Sequence, residues 1–278
     1  WAVGSLGTPG GGSVLAGDGH LPLHVPTLLT QIGLDTSVFG DATAGAPVTQ
    51  IGCFLPGVPF MALGTNGSIA WSFTYQNADA TDWYREELVL DAGGMPMATR
   101  FGAETRTLVA TDETYHVAPV DFFMSVARDE TWTRWTTFDG RPIVLIEGHT
   151  PAAGETAIVR PDGEPIVPGD EDGDGIVTAI SVDYVGFDIS NIIQMLRAFG
   201  AAGTVEEFRT EIRRNVAFTS NFVAADQSGS VLYTSYSATP CRDHLRSAGP
   251  GTPWAAGGDP QGILDGTRFA GFSVPLDA

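Results

Sequence analysis

The first residues that could do chemistry are acidic. Asp170-Glu171-Asp172-Gly173-Asp174-Gly175 sets carboxylates at loop positions 1, 3 and 5, with glycine at 6. This is how an EF-type calcium loop opens, with oxygen ligands alternating along the chain and a glycine allowing the sharp turn. Position 12 of that loop is Ser181 and not the bidentate glutamate, and a solvated acidic turn is the other reading. A second stretch lies near the start, where a Gly-rich turn and a small-residue strand end in Gly17-Asp18-Gly19-His20. A histidine exchanges protons near neutral pH; a surface-loop histidine is the plainer reading. Cys53 and Cys241 are two independent thiols, or one disulfide closing a long loop in an oxidising compartment.

Composition bounds what these residues can serve. The 278 residues, 43% hydrophobic, are enough for one sizeable core. Thirty-five glycines and only 17% charged residues favour a β-rich body with many tight turns. The net charge is −19, and all 14 basic residues are arginine. So acidic a chain lacks the basic footprint that nucleic acid requires, and it is repelled by anionic membrane surfaces. No run of 18 apolar residues is present to form a transmembrane helix. Acidity of this degree suits a periplasmic or secreted protein, or one that uses divalent cations. The chain opens on Trp1 and closes on FSVPLDA without a stop signal, and we expect it to be cut at both ends.

Short strands and turns must position these groups. SVLAG (13–17), SIAWSFTY (68–75), WYREELVL (83–90) and ETRTLVA (104–110) read as strands. Asn66-Gly67 is a hairpin-type turn signal just before the second of them. YHVAPV, TWTRWTTF, RPIVLIEG and TAIVRP continue the β pattern over 111–185, which the insert PGDEDGDGI (168–176) interrupts. Two helices follow. SNIIQMLRAFG (190–200) carries Ser190 as N-cap and Gly200 as stop, and TVEEFRTEIRRNV (204–216) opens on a Thr204-x-x-Glu207 capping box. FVAAD, a turn at Gln227-Ser228-Gly229 and SVLYTSY then make a hairpin. Strands, two helices and strands again predict an α+β fold with layered sheets.

These segments, in this order, resemble the catalytic chain of the penicillin acylase family. Its members are N-terminal-nucleophile hydrolases, made as one precursor and matured by self-cleavage. The resemblance rests on Trp1-Ala2-Val3-Gly4, LAGDGHL (15–21), LPGVPFMALGTNGSIAWSFT (55–74), NADATDWYREEL (77–88), TVEEFRTEIRR (204–214), SNFVAADQSGSV (220–231) and PCR (240–242). It implies one catalytic domain over 1–278 with a four-layer αββα sandwich. It also implies hydrolysis of a linear acyl amide, with release of the acyl group from a β-lactam nucleus or an acyl-homoserine lactone. The partner implied is an α-chain from the same precursor, and the location periplasmic or extracellular.

Residue by residue, the resemblance makes Trp1 the tryptophan of the family's Ser-Asn-x-Trp start. The nucleophilic serine then falls three places before residue 1. His20 matches a residue that contacts the nucleophile's α-amine through a water. Asn221 matches the oxyanion-hole asparagine, and Tyr75 the second donor, through its backbone N–H, with its ring shaping the acyl pocket. Arg242 matches an arginine that positions the asparagine and the substrate. Asp79, Thr81 and Asp82 match a structural calcium loop, with Asp170, Asp172 and Asp174 as a second candidate independent of the family. Plainer readings stand beside these: a turn asparagine at 221, and a surface ion pair of Arg242 with Asp243 or another acid. Phe60, Met61 and Phe73 suit an acyl pocket or the core equally. The competing function class is a calcium-stabilised binding module that has lost its nucleophile.

Overall fold

The computed structural model describes residues 1–18, 25, 27–37, 48–119, 126–146, 158–159, 165–166, 176–187, 191–247 and 253–274. In chain order the strands are β1 (Ala2–Val3), β2 (Val14–Leu15), β3 (Thr30–Asp35), β4 (Thr49–Phe54), β5 (Met61–Thr65), β6 (Ile69–Tyr75), β7 (Thr81–Leu90), β8 (Pro96–Phe101) and β9 (Glu104–Thr107). Next come β10 (Val109–Val117), β11 (Arg128–Thr136), β12 (Ile143–Ile146), β13 (Ile158–Val159), β14 (Pro165–Ile166) and β15 (Ile176–Tyr184). Helices α1 (Ile192–Ala201) and α2 (Val205–Ile212) precede β16 (Ser220–Asp226), β17 (Val231–Tyr236) and β18 (Ile263–Asp265). The α+β class stands. The elements fall into two compact units: Trp1–Ala80, Val185–Thr239 and Val274–Ala278 in one, Thr81–Tyr184 and Pro240–Ser273 in the other.

The first unit is a six-stranded sheet in the order β17-β16-β6-β5-β4-β3. Its middle strands alternate. Ile69, Trp71 and Phe73 of β6 and Phe222 and Ala224 of β16 point to one face, where both helices pack. The Phe199 and Phe208 ring centroids lie 4.0 Å apart, and Trp71 sits 6.2 and 6.1 Å from them. Burying each such ring stabilises the unit by roughly 1.5–3 kcal/mol. Met61 belongs to this core, with Phe60 and Phe73 packed against it; Phe73 also lines the cleft described below.

Local chemistry sets the helix ends. Thr204 Oγ1 caps α2 by accepting from the Glu207 N–H at 3.2 Å, and Glu207 reaches back to the Gly203 N–H at 2.7 Å. Gly200 does not stop α1, which runs on to Ala201. A Cβ at Gly200 would collide with the Gln50 amide, and the Gly200 carbonyl accepts from Gln50 Nε2 and Asn66 Nδ2 at 3.2 and 3.1 Å. Asn191 occupies the N-cap of α1 without a side-chain cap, and Ser190 lies outside the described residues.

The second unit is a sheet ordered β12-β15-β7-β8-β9, with β18 parallel to β7, plus the ribbons β10–β11 and β13–β14. The expected strand 104–110 breaks at Leu108, whose side chain is buried while its N–H donates to Met97 O at 3.0 Å. Along β7 the inward parity carries Asp82, Tyr84 and Glu86 and then Leu88 and Leu90, while Trp83 points outward. The hydrophobic end joins Leu108, Trp135, Ile146, Val177 and Ala179. Cys53 and Cys241 are both free thiols.

Candidate active site

In the first unit the sheet face opposite the helices is covered by the start of the chain. Pairing in register sets Asn221 opposite Thr74 and Val223 opposite both Ser72 and Tyr233. By alternation these side chains share that face. The start of the chain is anchored over it. The Ser5 N–H donates to Gly229 O at 3.1 Å, and Ser13 Oγ to Asp226 O at 2.6 Å. The Trp1 nitrogen donates to Ala16 O at 2.8 Å, and the Ala16 N–H returns a bond to Trp1 O at 2.9 Å.

A cleft of about 330 Å³ remains beneath the anchored segment, lined by Trp1, Ala16–Asp18, Ser72–Thr74 and Val223. Gly17 is required at its wall, because a Cβ there would collide with Ser72 Oγ and Cβ. The buried Ser72 hydroxyl has no hydrogen-bond partner among the described residues. It leaves the cleft a spare polar group.

Asn221 stands just beyond the cleft, two residues along β16 from Val223. Its Nδ2 donates to Tyr75 O at 3.4 Å, and its Oδ1 accepts from the Tyr233 hydroxyl at 3.0 Å. The carbonyl at Tyr75 can only accept, so the amide nitrogen must face it and the amide oxygen must face Tyr233. One Nδ2 proton is left to donate elsewhere. The Gln76 N–H bonds to Thr219 O at 3.1 Å, so the alternation of an antiparallel ladder turns the Tyr75 N–H away from β16. On that side β5 pairs with β6 at Trp71 and Ala70, and Tyr75 lies past the paired stretch. The same alternation puts the Tyr75 ring on the helix-bearing face, exposed at 70%. The ring therefore does not shape a pocket on the Asn221 face. His20 lies outside the described residues.

Arg242 belongs to the second unit. Its Nε and Nη2 grip both oxygens of Asp82 at 2.8–3.1 Å, and its guanidinium lies 5.7 Å from the Phe272 ring centroid. Asp82 is fully buried. A hard cation needs carboxylate oxygens that are not already neutralised, so Asp82 does not fit the calcium role expected of it. Asp79 belongs to the first unit, while Thr81 and Asp82 begin the second. Among the described residues no group of three acidic, histidine or cysteine side chains is arranged to hold a metal ion. Asp170, Asp172 and Asp174 lie outside the described residues.

A second arginine, Arg141, is buried against the same face of β7. Arg141 Nη1 donates to Glu86 Oε1 at 2.7 Å and to Ser181 Oγ at 3.1 Å, and its Nε to Asp139 at 3.1 Å. Burial pushes the Glu86 carboxyl above its ordinary value despite Arg141. Burial also raises Asp183 to about 6, although the Phe272 N–H donates to it at 2.9 Å. These acids tie β7 and β15 to the segment 266–272 and read as structural.

Sequence reading missed two groups on the Asn221 face, Ser72 and Tyr233. Tyr233 could have been found by counting. A turn at 227–229 sets 223 opposite 233, which puts a tyrosine diagonally next to Asn221.

The chain is 26% identical over 256 residues, 92% of its length, to the penicillin acylase 2 proenzyme of Pseudomonas sp. (strain SE83). It spans only 27% of that relative. It is 30% identical over 88 residues, 32% of the chain and 9% of the relative, to the acyl-homoserine lactone acylase QuiP of Pseudomonas aeruginosa. The thermostable penicillin G acylase from Alcaligenes faecalis shares its fold, with a TM-score of 0.53 over 89% of this chain and 35% of that one, at 20% identity. The penicillin amidase family model matches residues 1–271, and the chain belongs to that family.

Proposed function

We propose that the full protein is an acylase. It transfers the acyl group of a linear amide to a serine three residues before Trp1 and then to water. The observation that carries this reading is the direction of β1. Traced backwards from Ser5 at Gly229 to Trp1 at the cleft, the chain runs along β16 towards Asn221. Three more extended residues cover roughly 10 Å, and Asn221 lies two residues, roughly 7 Å, beyond Val223. This direction supports a nucleophile at the level of the free Asn221 proton.

The chemistry follows from those positions. The serine's own α-amine, with a pKa near 8, takes the hydroxyl proton as the oxygen attacks the amide carbonyl and passes it to the departing amine as the C–N bond breaks. Water then attacks the acyl ester, giving its proton through the same amine to restore the serine hydroxyl and release the acid. Negative charge collects on the carbonyl oxygen, and Asn221 Nδ2 and the Tyr75 N–H donate to it. Such a donor strengthens as charge develops and is worth about 3 kcal/mol. His20 holds the amine's water. The relatives' names point to a penicillin or an acyl-homoserine lactone as substrate. One of them is a proenzyme, which supports an α-chain partner released by self-cleavage. The first unit's sheet, with helices on one face, supports an αββα sandwich for the full protein. The acidic surface suits the periplasm or the outside of the cell. Calcium is assigned no step.

The test uses the full matured protein. Mass spectrometry of the catalytic chain should show serine three residues before Trp1, and Asn221→Ala should lower kcat by about 10²–10³. A residue other than Ser, Thr or Cys at that position, or an unchanged kcat, overturns the acylase.

A further inference from the structure

An oxyanion donor acts only if its N–H points at the charge. An asparagine amide can turn over, and in the reversed orientation it would present an acceptor and repel that charge. What holds Asn221 the right way round is therefore a separate question from what Asn221 does. The geometry points to Tyr233 as the positioning residue. Its hydroxyl, on the diagonal neighbour across the β16–β17 ladder, donates to Asn221 Oδ1 at 3.0 Å. The other end of the amide faces the Tyr75 carbonyl at 3.4 Å. A long contact of that kind holds weakly, so the shorter Tyr233 bond is the main restraint.

This assignment rests on the acylase reading. Arg242, which the resemblance makes a positioning residue, pairs with Asp82 through its guanidinium. Tyr233 is 70% exposed on the edge strand. Its ring adds little to the core, so removing the hydroxyl isolates the orienting bond. The oxyanion forms only in the transition state, so the effect belongs in kcat.

The experiment measures the matured full-length protein on phenylacetyl p-nitroanilide and on a long-chain N-acyl-homoserine lactone. Tyr233→Phe is expected to lower kcat about tenfold, with KM and the thermal midpoint unchanged. In an Asn221→Ala background the same change should cost nothing further, because there is no amide left to orient. Tyr233→Leu, which removes ring and hydroxyl together, serves as the second variant and should behave alike. Wild-type activity with an unaltered Tyr233→Phe kcat, or losses that multiply in the double variant, overturns Tyr233 and leaves the acylase standing. A wild type inactive on both substrates overturns the acylase reading, and this role with it.

Discussion

At the scale of single residues, the second unit depends on arginines buried among acids. Arg141 is 2% exposed and contacts Glu86, Asp139 and Ser181, with its guanidinium 4.0 Å from the Tyr84 ring centroid. Removing one partner of a buried pair strands the other charge without water. Arg141→Ala should therefore cost about 3–5 kcal/mol in urea denaturation. Arg100, half exposed beside Glu87 at 3.3 Å, should cost under about 1 kcal/mol when changed to Ala. Equal losses would contradict the network. Asn221 stood out in the sequence because it lies in a contiguous motif. The Asp82 partner of Arg242 was not, because 160 residues separate them.

At the scale of elements, α2 is held to the sheet by a carboxylate outside it. Asp226 ends β16, and its Oδ2 accepts from the Val205 N–H at 3.1 Å. Its Oδ1 accepts from the Ser228 N–H and hydroxyl and from the Ser230 N–H, which shapes the hairpin turn. Burial alone would raise this carboxyl, but the hydrogen bonds offset that and hold it below its ordinary value. Asp226→Ala leaves three backbone donors unmatched in one place. It should cost more than Thr204→Ala, which removes one exposed cap worth about 1 kcal/mol. Hydrogen exchange of the α2 amides checks this, and a larger loss in Thr204→Ala would refute it. Both the turn and the cap were legible locally. The link between them was not.

At the scale of the whole molecule, Asp183 makes stability depend on pH. Its pKa is raised to about 6 in the folded state, from an ordinary 3.8. The folded protein therefore holds this proton where the unfolded chain has lost it. The stabilisation is complete below about pH 3.8 and disappears as pH rises through about 6. Asp183→Asn keeps an acceptor for the Phe272 N–H and cannot ionise. The wild-type thermal midpoint should fall relative to this variant between pH 4 and 7 and level off above; a constant difference would sink the assignment. Glu86 is also raised, so the comparison with Asp183→Asn isolates one group.

By itself the sequence determined the α+β class, the family, the strands around 68–75 and 220–236 and the hairpin turn. Each is written in consecutive residues, through two-residue alternation, turn chemistry or a contiguous motif. Only the tertiary structure decided that 68–75 and 220–236 lie side by side, that Tyr233 meets Asn221, and that Arg242 serves Asp82. Each of these joins residues far apart along the chain or across a ladder. Register and burial set such contacts, and a local pattern carries neither. The acids on the inward face of β7 show why. Alternation marks Asp82 and Glu86 as a polar row, and only the buried arginines explain how that row can face inward.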